Sequence, residues 1–182
     1  SIQKSTTGTG PFTSSISGIT EASGNFLFIN PFIMDPNNSN RLWTGGYTLW
    51  RTDDQATNWT QASVPNQTGG GGNSVTSWAV QPANSDLVLA GDEIGNIYRN
   101  ASATTASSTT TWTDVASMGG YISSISFDPN TTSTAYATVS TFGITHLWRS
   151  TDSGANWSAF GGALPDVPFL SVLVETGDSN RI

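Results

Sequence analysis

One eight-residue segment occurs twice in this chain, each time directly after a Leu-Trp-Arg triplet. The clearer copy is Ser150-Thr151-Asp152-Ser153-Gly154-Ala155-Asn156-Trp157, following Leu147-Trp148-Arg149. The looser copy, Thr52-Asp53-Asp54-Gln55-Ala56-Thr57-Asn58-Trp59, follows Leu49-Trp50-Arg51 and keeps the same Asp-to-Trp spacing. Two distant copies of one plan require an architecture built by repetition.

The prolines of Met34-Asp35-Pro36-Asn37, Val80-Gln81-Pro82-Ala83 and Phe127-Asp128-Pro129-Asn130 set the period, in the mid-forties. One more step reaches Thr176, where Ser179-Asn180-Arg181 repeats Ser39-Asn40-Arg41. Four units are therefore visible. A period in the forties with several short strands per unit predicts β-propeller blades, four-stranded sheets that bury their faces against their neighbours. Within a unit, an inner strand (28–34, 77–80, 122–127, 170–174) leads through an Asp/Pro/Asn turn to a second (41–44, 87–90, 135–138). A hairpin leads to the third, which carries Leu49-Trp50-Arg51, Ile97-Tyr98-Arg99 or Leu147-Trp148-Arg149. The fourth begins near Trp59, Trp112 or Trp157. In the middle unit the polar run 101–110 displaces the Asp-containing turn.

The fold class is thus all-β, with about three complete blades and partial ones at both ends. Residues 1–25 are expected to supply the outer part of a preceding blade, with blades at 26–65, 73–117 and 120–162 and the start of a truncated blade at 168–182. Such a run is not expected to close a ring alone. Its bare faces and strand edges call for the remaining blades of a longer chain or for self-association.

Composition narrows the partners. Thirteen acids against six bases, a net charge of -7, repel a phosphate backbone, so nucleic acid is not an expected partner. There are no cysteines, which excludes disulfides and thiolate metal sites. No apolar run reaches the ~20 residues of a membrane-spanning helix, so membrane insertion is not expected. Neither a cofactor nor a metal is expected. Few lysines and a Ser/Thr-rich surface point to a secreted or extracellular location. Six Asn-x-Ser/Thr triplets (Asn37, Asn58, Asn66, Asn100, Asn130, Asn156) follow from composition and are not assigned as glycosylation sites.

In the repeated turn, Asp152 can accept backbone N–H groups, Gly154 can take a positive φ, and Trp157 can pin the turn to the sheet. Thr52, Asp54 and Trp59, like Ser150, Asp152, Gly154 and Trp157, are structural in this reading. Ala56 stands in the glycine position, so the first turn must differ or be strained. These residues resemble the Asp-box (BNR) repeats of bacterial propellers, a superfamily of sialidases, xyloglucan-cleaving hydrolases, sortilin-type receptors and a photosystem assembly factor. The resemblance covers nearly the whole chain and implies the fold. It does not choose among enzymes, receptors and assembly factors.

If the inner strands run downward, the first turns and Asp-boxes share a lower face. The upper face then carries the second-to-third hairpins (45–47, 92–96, 140–146) and the blade connections (61–74, 117–120, 160–168), where binding residues belong. Seven tryptophans suggest sugar stacking, yet each falls at a repeated position, which is the pattern of core packing. The aromatics left for a ligand are Tyr47 and Phe142. Arg51, Arg99 and Arg149 share one repeat position, and Arg41 and Arg181 another, which indicates a ladder or turn caps. The three converging arginines and Arg-Ile-Pro motif of a sialidase are not seen.

A glycosidase needs two carboxylates facing each other across the scissile bond. Asp92, Glu93 and Asp166 are the upper-face acids that qualify, against the alternative of solvated loop charge. His146 ends the longest hairpin and joins Tyr47, Asp92, Glu93 and Phe142 as a ligand-binding candidate, although it lacks a visible nucleophile or second metal ligand. The glycines at 69–72 lack the Lys-Ser/Thr and helix of a phosphate loop. The sequence favours a secreted binding or scaffold module with a glycan or protein ligand on the upper face. Its alternatives are part of a sialidase- or xyloglucanase-like glycoside hydrolase, and a structural assembly component.

Overall fold

A computed structural model describes residues 2–182. Strands β1 (Gln3–Lys4) and β2 (Thr13–Ser14) form a hairpin, and three four-stranded antiparallel sheets follow. The first holds β3 (Phe32–Asp35), β4 (Asn38–Gly45), β5 (Leu49–Thr52) and β6 (Thr60–Gln61). The second holds β7 (Val75–Gln81), β8 (Asn84–Asp92), β9 (Asn96–Asn100) and β10 (Thr113–Ser117). The third holds β11 (Ile122–Phe127), β12 (Ala135–Val139), β13 (Leu147–Ser150) and β14 (Ser158–Ala159). Each sheet is paired in sequence order, so each is a four-stranded meander.

The core lies between the sheets because each is apolar on both faces. Trp43 of the first sheet meets Trp78 and Trp112 of the second, with ring centroids 5.8 to 6.3 Å apart. Leu89 and Ile97 of the second pack with Ile122, Ile125 and Phe127 of the third. Tyr136 and Leu147 of the third then cover Val172 and Val174. Trp43, Trp78 and Trp112 are buried between the first two sheets and Trp50 and Trp59 beneath the N-terminal hairpin, while Trp148 and Trp157 are half-buried against the core between the second and third sheets. The repeat register of the tryptophans follows this packing.

Polar side chains tie one sheet to the next at equivalent points. Asn37 Nδ2 donates to Gln81 O (3.0 Å) while its Oδ1 accepts the Ala83 N–H (2.6 Å). Asn130 does the same with Glu175 O (2.8 Å) and the Gly177 N–H (2.6 Å). Arg51 Nη1 donates to Ala103 O (2.7 Å) and Ala106 O (3.2 Å), and Arg99 Nε to Ser153 O (3.0 Å). Arg149 stacks on the Phe160 ring at 4.7 Å. Arg41 bridges Asp35 and Asp53, and Arg181 pairs with Glu175. Partial desolvation of the Asp53 carboxyl would raise its pKa, but hydrogen bonds from Arg51 and Arg41 outweigh that and hold it lower.

Two stretches differ from the strands read in sequence. Residues 28–31 are not strand, and β3 begins only at Phe32. Residues 170–174 have the side-chain alternation of an inner strand, with Val172 and Val174 buried, but no ladder partner. Pairing there is limited to a bridge between Glu175 and Asp178.

Candidate functional site

The two repeated turns share the same Ser/Thr–Asp–Asn hydrogen bonds, while Trp59 Nε1 donates to Ser15 O and Trp157 Nε1 to Gly154 O of its own turn. In the first, Thr52 Oγ1 donates to Asp54 Oδ1 and accepts the Ala56 N–H, while Asn58 donates its backbone N–H to Oδ1 (2.8 Å) and its amide to Oδ2 (2.9 Å). In the second, Ser150, Asp152, Gly154 and Asn156 reproduce every one of these bonds, the last two at 2.9 and 2.7 Å. Hydrogen bonds from Asn58 hold the Asp54 carboxyl down to about 2, and those from Asn156 do the same for Asp152. Ala56 does not change the turn. It takes the left-handed conformation itself, φ +62°, where Gly154 has +79°.

On the opposite face, Asp92 builds the same device. Its Oδ1 accepts the backbone N–H groups of Ile94 (3.1 Å), Gly95 (2.9 Å) and Asn96 (2.8 Å). Its Oδ2 accepts the Asn96 amide (2.9 Å), the Asn73 amide (2.8 Å) and the Tyr98 hydroxyl (2.9 Å). The Asp92-to-Asn96 spacing equals that of Asp54 to Asn58 and Asp152 to Asn156, and the paired backbone and amide bonds are the same. Asp92 is fully buried, so the proposed acid is closed to any substrate. Burial, and next the Asp92 charge, raise the pKa of Tyr98, which keeps its proton for this bond.

The other candidates are engaged as well. Glu93 Oε2 accepts the Ser74 N–H at 2.7 Å, tying the hairpin to the incoming connection. Asp166 Oδ1 accepts the Gly143 N–H (2.8 Å) and His146 Nε2–H (2.9 Å), and these bonds, that of Gly143 foremost, lower its pKa. His146 does not project from its hairpin. It is buried, stacked on Phe169 at 5.5 Å, with Nδ1 3.2 Å from Val139 O. The Tyr47 hydroxyl accepts the Gly72 N–H at 2.8 Å and so anchors the glycine run, in which residues 69–72 all have positive φ. Phe142, at the hairpin tip, is 65% exposed and is the candidate aromatic that faces solvent. An open cavity of about 520 Å³ lies beside it, lined by His146, Leu147, Phe160, Leu164 and Asp166 among others.

No protein-family model and no curated protein matches this sequence. Solved structures do match its fold. The GH74 enzyme of Niastella koreensis aligns with TM-score 0.59 and 22% identity over 79% of this chain and 24% of its own. The GH74 xyloglucanase from Xanthomonas campestris aligns with TM-score 0.55 and 18% identity over 75% and 24%. YCF48 bound to D1 peptide aligns with TM-score 0.50 and 16% identity over 79% and 46%. All are β-propellers. This chain is a run of propeller blades. It spans about a quarter of the two GH74 chains and less than half of YCF48, and at these identities the likeness concerns the fold alone.

One residue that organises the upper face of the propeller escaped sequence reading. Glu21 Oε1 accepts the N–H groups of Tyr47 (2.8 Å) and Thr48 (3.2 Å), and its Oε2 accepts the Trp50 indole N–H (2.8 Å). It does for the first blade's hairpin what Asp92 does for the second's. Its hairpin partners lie 26 to 29 residues away, and within its own segment it meets the Asn25 amide (3.3 Å), a Glu-x-x-x-Asn spacing that no repeat marks.

Proposed function

We propose that this chain is a segment of a secreted Asp-box (BNR) propeller that serves as a binding or scaffold module, taking a glycan or protein ligand on its upper loop face. The observation that carries this reading is the saturation of Asp92. A general acid or nucleophile must reach its substrate, and this carboxylate is buried under six hydrogen bonds. Glu93 and Asp166 also hold loops in place. Exposed Phe142 and Ile94 offer apolar contact on the same face.

The test is a panel of plant and microbial polysaccharides, scored for retention on the immobilised chain and for release of reducing ends. The reading predicts retention without release, with retention lost in Phe142→Ala at unchanged melting temperature. Release of reducing ends that disappears in Glu93→Gln or Asp166→Asn supports the second reading, a piece of a glycoside hydrolase. That reading draws on the shared fold of the GH74 enzymes. If no glycan is retained, the glycan ligand is overturned, and a protein ligand or a purely structural assembly component is left.

A further inference from the structure

The second blade has a four-stranded blade on each side, so the surface it shows upward is set by elements that are all in place. At the tip of its β8–β9 hairpin, Ile94 is 57% exposed. The corresponding tips of the first and third blades carry half-buried Tyr47 and exposed Phe142. A lone exposed apolar side chain is ordinary, but a large apolar residue at every hairpin tip of one face makes a surface.

That surface is held from below. Asp92 fixes the backbone of residues 94–96, and Gly95 O accepts the Met118 N–H (2.8 Å). Beside Ile94, Glu93 is pinned through Oε2 to the Ser74 N–H, while its Oε1 has no hydrogen-bond partner among the described residues and is open to solvent. Tyr121 stands in the field of this carboxylate: burial, and next the Glu93 charge, raise its pKa. The Tyr121 backbone is in turn bonded to Thr141 Oγ1 (3.1 Å) and to the Ser140 N–H (3.0 Å) of the third blade's hairpin. These groups are ordered before any partner arrives and lose little freedom on contact.

The charges around the site are of one sign. Among the described residues every lysine and arginine lies towards the Asp-box end: Lys4 at Thr57, Arg41 and Arg51 at Asp53, Arg99 at Ser153, Arg149 next to Ser150, and Arg181 at Glu175. Glu21, Asp92, Glu93 and Asp166 of the upper face have no lysine or arginine partner. Such a face repels acidic polymers and attracts cations. Isoleucine offers no flat ring for a sugar to stack on, and tyrosine is enriched at protein interfaces. We infer that the upper face of the second blade, at Glu93, Ile94 and Tyr121, docks a protein segment in which a lysine or arginine stands beside a large apolar side chain. The cation meets Glu93 Oε1 and the apolar group covers Ile94. This rests on the upper loops being the ligand face and takes the protein branch of that reading.

Fluorescence anisotropy of this chain with labelled synthetic peptides tests this, with melting temperatures to show that each variant is folded. A peptide alternating lysine and leucine is expected to bind about tenfold more tightly than one alternating lysine and serine. A peptide alternating glutamate and leucine is expected not to bind. Glu93→Gln keeps an acceptor for the Ser74 N–H and removes only the charge, so it should weaken the lysine–leucine peptide about fivefold and flatten its salt dependence. Ile94→Ser should weaken it about tenfold. Asp178→Asn makes the same change in net charge on the opposite face and should leave binding unchanged. Equal losses in Glu93→Gln and Asp178→Asn, undiminished binding in Ile94→Ser, or no binding of the lysine–leucine peptide overturns the inference. If a polysaccharide is retained and the peptide is not, the ligand face stands and this docking site falls; if neither is retained, both fall.

Discussion

The Asn130 side chain crosses a blade boundary to close two hydrogen bonds on the backbone around Gly177, at 2.6 and 2.8 Å. Asn37 makes the matching pair to Ala83 and Gln81 one period apart in sequence. Such a clamp fixes neighbouring blades in register with little buried area. Truncating Asn37 leaves a backbone donor and acceptor to water or to nothing, at a cost of about 1–2 kcal/mol. Asn37→Ala is therefore expected to lower the melting temperature by roughly 2–8 °C at 2–4 °C per kcal/mol, measured by calorimetry.

The two repeated turns respond unequally at their glycine position. A Cβ on Gly154 would sit 2.7 Å from Leu89 Cδ2, in a packed interface and at positive φ. Gly154→Ala is expected to destabilise by about 2–4 kcal/mol. Ala56→Gly removes the same backbone strain at the cost of one buried methyl, so a net change within about 1 kcal/mol is expected. Chemical denaturation of both variants reads the difference, and equal losses would refute the shared geometry.

Acid should unlock these turns. Asp54 and Asp152 have folded pKa values of about 2 against 3.8 for the free group. The unfolded chain therefore takes up protons first. The stabilisation is complete above about pH 4 and is lost as pH falls towards 2. Melting temperature measured between pH 5 and 2 is expected to fall across this window, and less steeply in Asp152→Asn. A parallel decline in that variant would show the Asp152 carboxylate to be uninvolved.

Within the tryptophan cluster the indole nitrogens are unequal. Trp112 Nε1 donates to Ala62 O, whereas Trp43 Nε1 and Trp78 Nε1 are buried without a partner. Trp78→Phe removes an unpaired donor along with some packing, while Trp112→Phe also orphans a carbonyl. Trp112→Phe is expected to cost about 1 kcal/mol more, as read by denaturant midpoints.

The fold was largely legible because its determinants are local and periodic. Pro36, Pro82 and Pro129 mark each first turn, and the register of Trp50, Tyr98 and Trp148 places each third strand. The absence of strand at 28–31 was not legible, because pairing there depends on neighbours that the segment's own pattern cannot show. Among the site candidates, Phe142 could be read as exposed from its hairpin tip alone. His146 could not be read as buried, since its cover is Phe169, far along the chain. Asp92 carried a usable signal, the Asp-x-x-x-Asn spacing of the two repeated turns. It was obscured because the flanking serine or threonine and the tryptophan are absent.

The account turns on whether Asp92 holds the upper face together or works on a substrate. Asp92→Ala would leave three backbone N–H groups, two amides and a hydroxyl without their acceptor in a closed site. The expected loss is about 3–4 kcal/mol. The most direct measurement is the melting temperature of this variant, predicted to fall by on the order of 10 °C. An unchanged melting temperature with loss of hydrolysis would contradict the structural role assigned to this carboxylate.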